Sequence, residues 1–202
     1  MFYEPRLGHG LPHDPFKACV APRPIGWIST LSKEGIVNLA PFSYFNAVLD
    51  FPPTVMFSAS GPHKDGALKD TARNAIDTGE FVCNIATWEL REPMNQSSAS
   101  VARDVDEFQL AGLEKAPSRL VKPPRVKASP IQLECRTVHV LSLPTSKPEI
   151  ENRVVFGEVA GVHIDESVLV EGRVDLTRVR PIARCGYQDY SVLDALFSMR
   201  RP

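Results

Sequence analysis

The sequence predicts a mostly β, antiparallel fold in which short strands close into a barrel with a few helices. Short runs of strand-forming residues recur along the chain, and one clear run of helical spacing follows the fourth of them. No GxGxxG motif follows a strand, so an alternating βαβ nucleotide-binding domain is not indicated. These patterns favour a barrel over a doubly wound sheet.

Length and composition indicate one globular domain. The chain has 202 residues, of which 43% are hydrophobic and 23% charged, and its formal net charge is −1. This charge offers no general attraction to nucleic acid or to a membrane surface. No signal-like or membrane-spanning apolar run occurs, so we expect a cytoplasmic protein. We expect an N-terminal arm at 1–21, a domain at 22–190 and a C-terminal helix or tail at 191–202.

The first part of the chain predicts an extended arm and then a β-hairpin. Residues 1–21 contain several prolines and no clear period, as in arms that lie across a partner subunit. Strand formers occupy 25–31 and are followed by a Ser-Lys-Glu-Gly turn at 32–35. A second strand at 36–39 can fold directly back on the first.

Pro41 is expected to end this second strand, because proline cannot donate a ladder hydrogen bond. The aromatic segment 42–46 should then leave the sheet, and the chain should re-enter it at 47–49. A strongly apolar strand follows at 54–59.

A polar loop and a helix follow this strand. Small and apolar residues recur at helical spacing over 67–78, and Gly79 is placed to stop the helix. The region is rich in hydroxyl and ammonium groups, which suit a phosphate monoester bound at a helix N-terminus. These groups belong to Ser58, Ser60, Lys64, Lys69 and Thr71. An ordinary capped helix with Asp65 or Asp70 as N-cap and with solvated lysines is the alternative.

The second half of the chain returns to strands. A strand at 81–86 precedes a helix at 88–101 that Pro93 is expected to interrupt. The polar segment 102–124 either covers a site or a subunit boundary or is plain surface. Two long alternating strands follow, and an amphipathic helix is expected near the C-terminus. The strands lie at 131–143 and 153–164, with bends at Gly157 and Gly161, and the helix lies at 192–199.

The cysteines and histidines do not indicate a metal or nucleophilic site. The four cysteines, Cys19, Cys83, Cys135 and Cys185, are widely spaced and form no CxxC pair. Cys83 and Cys135 lie in apolar strand patterns and are expected to be buried packing residues. His139 and His163 also fall within strands, where a structural role is expected. No Ser-His-Asp set or pair of carboxylates stands out.

Six motifs occur in a fixed order between residues 22 and 190. They are RPIGWISTLSKEGIVNLAPFSYFNAV, PPTVMFSAS, KDTARN, TGEFVCN, VVFGEVAGVHID and RPIARCGYQDY. Together they resemble the flavin reductase-like family of FMN-binding split barrels, which includes flavoredoxins and reductase components of two-component monooxygenases. The resemblance implies a six-stranded Greek-key split barrel that binds FMN at the boundary of a homodimer.

The resemblance also implies which residues contact the cofactor. Segment 42–46 should lie along the flavin, and Arg184 and Tyr190 should border the pocket. The KDT triplet should meet the phosphate, with His63 and Lys64 as rival contacts. The expected cofactor-binding residues are Trp27, Ser43, Tyr44, Asn46, Ser58, Ala59, Ser60, Lys64, Lys69, Asp70, Thr71, Arg184 and Tyr190.

The implied activity is NAD(P)H-dependent flavin reduction, in which a hydride passes from NADH or NADPH to FMN. Reduced flavin or electrons would then pass to a partner oxygenase or another acceptor. Such chemistry belongs mainly to the cofactors, which agrees with the absence of a catalytic constellation. One alternative is a non-enzymatic electron carrier or flavin sensor. Another is a relative of pyridoxamine-phosphate oxidase, which would lack the GEF-containing run.

Overall fold

The computed structural model describes residues 1–61, 63, 66–147 and 150–202. The strands in this part of the chain are β1 (Arg23–Pro24), β2 (Gly26–Leu31), β3 (Val37–Phe42), β4 (Phe45–Asp50), β5 (Pro53–Ser60), β6 (Glu80–Ile85), β7 (Lys115–Ala116), β8 (Arg125–Val126), β9 (Ile131–Ser142), β10 (Asn152–Ile164), β11 (Leu169–Val170), β12 (Arg173–Val174), β13 (Ile182–Gly186) and β14 (Asp189–Val192). The helices are α1 (Phe16–Cys19), α2 (Asp70–Thr78), α3 (Arg91–Gln96), α4 (Glu107–Leu110) and α5 (Leu176–Val179). Two turns of 3₁₀-helix lie at Pro5–Leu7 and Glu166–Val168.

Seven strands form the main antiparallel sheet, in the order β3-β2-β6-β9-β10-β5-β4. Its two edge strands, β3 and β4, are consecutive in the chain and are separated only by Ser43 and Tyr44. The sheet curls until these edges meet. Gly26 on β2 lies so close to Phe45 on β4 that a Cβ atom there would fall 2.5 Å from the aromatic ring. The predicted antiparallel, mostly β architecture is confirmed.

The long β9–β10 hairpin bends where two glycines were expected to bend it. Register shifts occur at Phe156/Gly157 and at Val159/Gly161. A Cβ atom on Gly157 would lie 2.3 Å from the ring of Phe81, so glycine also allows the strand to pack against the barrel core.

Two apolar clusters hold the fold together. Inside the barrel, the rings of Phe57 and Phe81 meet edge to face at a centroid distance of 5.3 Å. A second cluster lies on the outer face of β2 and β3 and includes Trp27, Phe108 and Ile182. Strand β2 is therefore buried on both faces. Segment 102–124 supplies part of this cover through α4, so it is not plain surface.

Helix α2 closes one end of the barrel. The predicted helix at 67–78 is confirmed, but it begins at Asp70. Its buried side chains include Thr71 and Asn74, and it ends at Gly79 in the left-handed conformation, with φ = 73°.

The expected departure of the chain at Pro41 is wrong. Pro41 remains in β3, opposite Trp27 on β2. Strand β3 is an edge of the sheet, so a missing N–H donor on its outer side breaks no ladder bond. The main sheet has seven strands where six were expected.

Two expected helices also differ from the structure. Pro93 does not interrupt α3, because it lies in the first turn, where a backbone N–H has no intrahelical partner. The helix covers only Arg91–Gln96 of the expected 88–101. No helix forms at 192–199, where the chain leaves β14 without regular structure. Leu196 and Phe197 remain exposed there, since no described surface packs over them.

The N-terminal arm is mostly exposed but contacts strands β1 and β13 and the turn after β13. Ala18 in α1 packs so closely on Gly186 that a Cβ atom on this glycine would lie 2.8 Å from the Ala18 Cα. Cys83 and Cys135 are buried, as expected, and burial raises the pKa of both thiols. No helix among the described residues is long and apolar enough to cross a bilayer.

Candidate functional site

Two neighbouring cavities lie near the end of β3. The helix-side cavity has a volume of about 270 Å³ and is bordered by the start of α2, residues 97–101 and Glu107. The arm-side cavity has a volume of about 260 Å³ and is bordered by the N-terminal arm, the β3–β4 turn and β13–β14. Pro41 and Ser98 line both cavities, so the two adjoin each other there.

The N-terminus of α2 opens into the helix-side cavity without a side-chain cap. Lys69 is the N-cap residue, with φ = −57° and ψ = 144°, and it makes no capping hydrogen bond through its side chain. The first N–H groups of a helix have no intrahelical acceptors and carry the positive end of the helix dipole. Asp70, the first helical residue, is neutralised by Arg73 at 2.7 Å and by contact with Arg103. This helix end therefore favours an anion.

A buried polar network forms the wall behind this helix end. The Thr71 hydroxyl donates to Asn38 Oδ1 over 2.6 Å, and Asn38 Nδ2 donates to Glu107 Oε1 over 3.0 Å. The backbone N–H of Leu39 donates to the other Glu107 oxygen over 3.0 Å. Thr71 has only one hydroxyl proton, and Asn38 already accepts it. Thr71 can therefore offer a ligand only a lone pair unless this network rearranges.

Burial raises the pKa of Glu107 above its usual value, because the buried carboxylate loses water that would stabilise its charge, and the negative charge of Asp70 adds to this effect. The hydrogen bonds from Leu39 and Asn38 act in the opposite direction but do not cancel this effect. Glu107 lines the helix-side cavity, so it places a carboxyl group with a raised pKa beside any ligand bound there.

Lys69 lies in a setting that disfavours its own charge. Partial burial is the main cause of its lowered pKa, and repulsion from Lys17 of the arm adds to it. Neither lysine has a carboxylate within ion-pair distance in the part of the chain that the structure describes. An anion between them would relieve the repulsion.

The arm-side cavity contains two further cations. The Arg23 residue is 6% exposed, donates to the carbonyls of Lys17 and Val20, and leaves its buried Nε–H without an acceptor among the described residues. Arg184 stacks 4.5 Å from the Tyr190 ring centroid and donates to the Tyr190 hydroxyl. No described carboxylate forms an ion pair with either arginine.

These features fit an anionic ligand that also carries a planar ring. An orphaned, buried arginine N–H has a high cost unless an acceptor occupies the site. Lys17, Arg23 and the uncapped start of α2 border the two cavities, and Tyr44 and Tyr190 add aromatic rings to the arm-side cavity. A flavin mononucleotide combines a phosphate with such a ring, and the residues present fit it.

The structure gathers only part of the expected cofactor-binding set. Seven of its members line the two cavities, namely Ser43, Tyr44, Lys69, Asp70, Thr71, Arg184 and Tyr190. Five others line neither cavity, namely Trp27, Asn46, Ser58, Ala59 and Ser60. Lys64 lies outside the described residues.

Physical reasons explain why these five residues are elsewhere. Trp27 and Ala59 are enclosed by the two apolar clusters. The Ser58 hydroxyl donates to Asn152 on the neighbouring strand over 2.9 Å, and Asn46 caps the N–H of Ala47 over 2.9 Å. Ser60 is exposed at the end of β5.

Other lining residues were not singled out from the sequence. They are Lys17, Arg23, Asn38, Ser97, Ser98, Ser100 and Glu107. The Ser-Ser-Ala-Ser run at 97–100 could have been noticed as a group of hydroxyls next to a short helix. Nothing local marked Lys17 or Glu107. The described residues contain no group of three or more His, Cys, Asp or Glu side chains placed to hold a metal.

The chain matches the family model described as "Flavin reductase like domain" over residues 19–180. It therefore belongs to the flavin reductase-like domain family. An uncharacterized protein from Aquifex aeolicus is 41% identical over 172 residues, which cover 85% of this chain and 84% of that protein.

Two solved structures are also similar. Nitrilotriacetate monooxygenase component B from Bacillus cereus has a TM-score of 0.88 and 29% identity, with 98% of each chain covered. The 2-nitrobenzoate 2-nitroreductase NbaA from Pseudomonas fluorescens has a TM-score of 0.80 and 26% identity, covering 93% of this chain and 88% of that one. The predicted split-barrel fold is confirmed by this likeness.

Proposed function

We propose that this protein binds FMN in the joined helix-side and arm-side cavities and reduces it with NADH or NADPH. The observation that carries the proposal is that Lys17, Lys69 and the buried Arg23 line these neighbouring cavities and have no carboxylate ion-pair partner among the described residues. Family membership and likeness to a monooxygenase component and a nitroreductase support a redox role.

The chain's own residues would hold and shield the cofactor. Lys17, Lys69 and the N–H groups at the start of α2 would bind the phosphate. Arg23 would complete its hydrogen bonds on the same ligand, while Tyr44 and Tyr190 would pack beside the ring. When bound, FMN supplies hydride acceptance and electron release. The protein's share is to align donor and cofactor and to exclude water.

The reduced product would serve an oxygenase or another electron acceptor. Reduced flavin that dissociates would be a product, whereas flavin that stays bound would pass on electrons as a prosthetic group. Gel filtration before and after reduction, followed by measurement of the ratio of bound flavin to protein, distinguishes these two modes. The ratio falls on reduction if the flavin is a product and stays constant if it is a prosthetic group.

We further propose that the working unit is a homodimer. Strand β4 is an edge of the main sheet, and its residues after Phe45 are exposed. Val48 and Leu49 on this strand and the adjacent Phe51, which is 90% exposed, form an apolar edge. Such an edge is costly in water and can be covered by a second copy across a two-fold axis.

The test of the redox proposal is anaerobic stopped-flow mixing of the FMN-loaded protein with NADH and, separately, with NADPH. We expect one nucleotide to bleach the flavin absorption band and added oxygen to restore it. Dithionite serves as the control for a reducible flavin. If dithionite reduces the flavin but neither nucleotide does, the reductase proposal is wrong and the electron-carrier function takes its place.

A further inference from the structure

A third and larger cavity, which we call the tail-side cavity, adjoins the arm-side cavity. It has a volume of about 550 Å³ and lies between α3 and β13–β14. Met94, Asn95, Arg184 and Tyr190 line both cavities, so a ligand in the tail-side cavity would lie next to the proposed flavin site. Neither the family match nor the proposed function assigns this space a role.

One wall of the tail-side cavity is a stacked tryptophan and arginine. The Arg91 guanidinium lies 4.1 Å from the centroid of the Trp88 ring, and its Nη1 donates to the Trp88 carbonyl over 2.7 Å. Trp88 is 39% exposed, although large aromatic side chains are usually well covered. The stack therefore presents a flat cationic surface to the cavity.

The charge on this wall is poorly compensated. The nearest carboxylate to Arg91 within the described chain is Glu92 at 3.6 Å, and its side chain is 80% exposed. Such a pair is weak in water. Arg180, which also lies over Trp88, differs because Glu89 at 2.8 Å and Asp194 at 3.1 Å neutralise it.

The opposite wall repeats the same chemistry. Arg184 stacks on Tyr190, and its hydrogen-bond partners are a hydroxyl and a backbone carbonyl, both uncharged. The tail-side cavity thus has an aromatic–arginine pair on each side and only Glu92 as an acidic lining residue. This arrangement suits a planar ring with an attached anionic group, because guanidinium groups stack on rings and bind oxyanions.

We propose that the tail-side cavity binds a planar aromatic group that carries an anion. Two sources share this chemistry: the adenosine diphosphate part of a nicotinamide donor, and an aromatic carboxylate that accepts electrons. The binding site itself stands on Trp88, Arg91, Arg184 and Tyr190. Its part in a reaction rests on the proposed function.

Tryptophan fluorescence provides a direct test on the full-length protein as purified. The sequence contains only two tryptophans, and Trp27 is fully buried while Trp88 borders the cavity. The protein is titrated with ADP in one arm and with benzoate in the other, exciting at the red edge of tryptophan absorption. We expect at least one probe to change the fluorescence saturably, and we expect Trp88→Phe to abolish that change.

Two arginine variants test the anion contact. Arg91→Ala should weaken binding of the active probe about tenfold, the usual loss for one charge-assisted hydrogen bond. Arg173→Ala, at an exposed position on β12, should leave it unchanged. Calorimetric titration of Trp88→Phe measures affinity independently of the fluorescence signal.

The outcomes separate the two sources and the two proposals. Binding of ADP alone assigns the tail-side cavity to the dinucleotide, and binding of benzoate alone assigns it to an acceptor. If neither probe binds saturably, or if the active probe binds wild type and Arg91→Ala with equal affinity, the inference is wrong. Since no electron transfer is needed for binding, the inference survives if neither nucleotide reduces the flavin.

Discussion

Lys69 should make flavin binding depend on pH. In the free protein its pKa is lowered by burial and by Lys17, whereas a bound phosphate would raise it again. FMN affinity should therefore be highest below the pKa that Lys69 has in the FMN-free protein. It should fall as the pH rises from there to the higher pKa that Lys69 has when FMN is bound. Titration of flavin fluorescence across alkaline pH measures this loss. Riboflavin, which has no phosphate, should show little change.

Variants at Lys69 sharpen this prediction. Lys69→Ala should weaken FMN binding at least about tenfold, since a charge-assisted hydrogen bond contributes about 1.5–3 kcal/mol. Lys69→Arg should retain affinity and shift its alkaline loss to higher pH, because arginine keeps its proton. Lys64→Ala is the matched control for the rival lysine. If Lys69→Ala leaves FMN affinity unchanged while Lys64→Ala weakens it, the phosphate contact belongs to Lys64 and not to Lys69.

Glu107 should make stability depend on pH in a definite direction. Its folded-state pKa is raised by burial, so folding favours the protonated carboxyl and is penalised when the group ionises. This penalty should be absent below the unfolded-state pKa, near about 4.3, and should grow until the pH passes the folded-state pKa. Urea unfolding of wild type and Glu107→Gln across this window tests it. A difference in unfolding free energy that does not vary with pH would contradict the assignment.

At the scale of elements, α4 is more than a connection because Phe108 anchors it on the outer face of β2 and β3. Phe108 is fully buried in the second apolar cluster. Phe108→Ala should lower the free energy of unfolding by about 3–5 kcal/mol, the usual cost of removing a buried phenylalanine. Chemical denaturation measures the change. Phe2→Ala, at a residue that is 88% exposed, should shift it by less than about 0.5 kcal/mol.

Elements were predictable where a local pattern decided them. Helix α2 was expected from its spacing and from Gly79, and the β9 and β10 strands with their bends were expected from alternation and glycines. Predictions based on proline alone failed at Pro41 and Pro93. The effect of a proline depends on whether its missing N–H faces a partner, and an edge strand or a first helical turn has none to lose.

At the scale of the whole molecule, the apolar edge on β4 determines how the proposed dimer can be tested. Val48→Asp places a charge on this exposed strand and should shift the protein from dimer to monomer in sedimentation velocity. FMN affinity should fall with it if both copies complete each site. Val174→Asp, on the separate β11–β12 hairpin, is the control. A wild-type monomer that binds FMN tightly would exclude the shared site.

The sequence by itself determined the class of fold and much of the site's chemistry. Period-two and helical patterns depend on neighbouring residues, and the ordered motifs led to the flavin reductase-like family. Within the expected site, Ser43, Tyr44, Lys69, Arg184 and Tyr190 do line the joined cavities. Their roles as cofactor contacts stay predictions.

Only the tertiary structure decided which groups act together. Lys17 of the arm lies near Lys69 at the start of α2, and Glu107 reaches back to Asn38 on β3. Tertiary packing also buries the side chains of Trp27 and Ala59 in the two apolar clusters, and their contacts with a cofactor stay predictions. Charge repulsion, desolvation and burial depend on distances between residues far apart in the chain, and those distances exist only after the sheet has curled into a barrel.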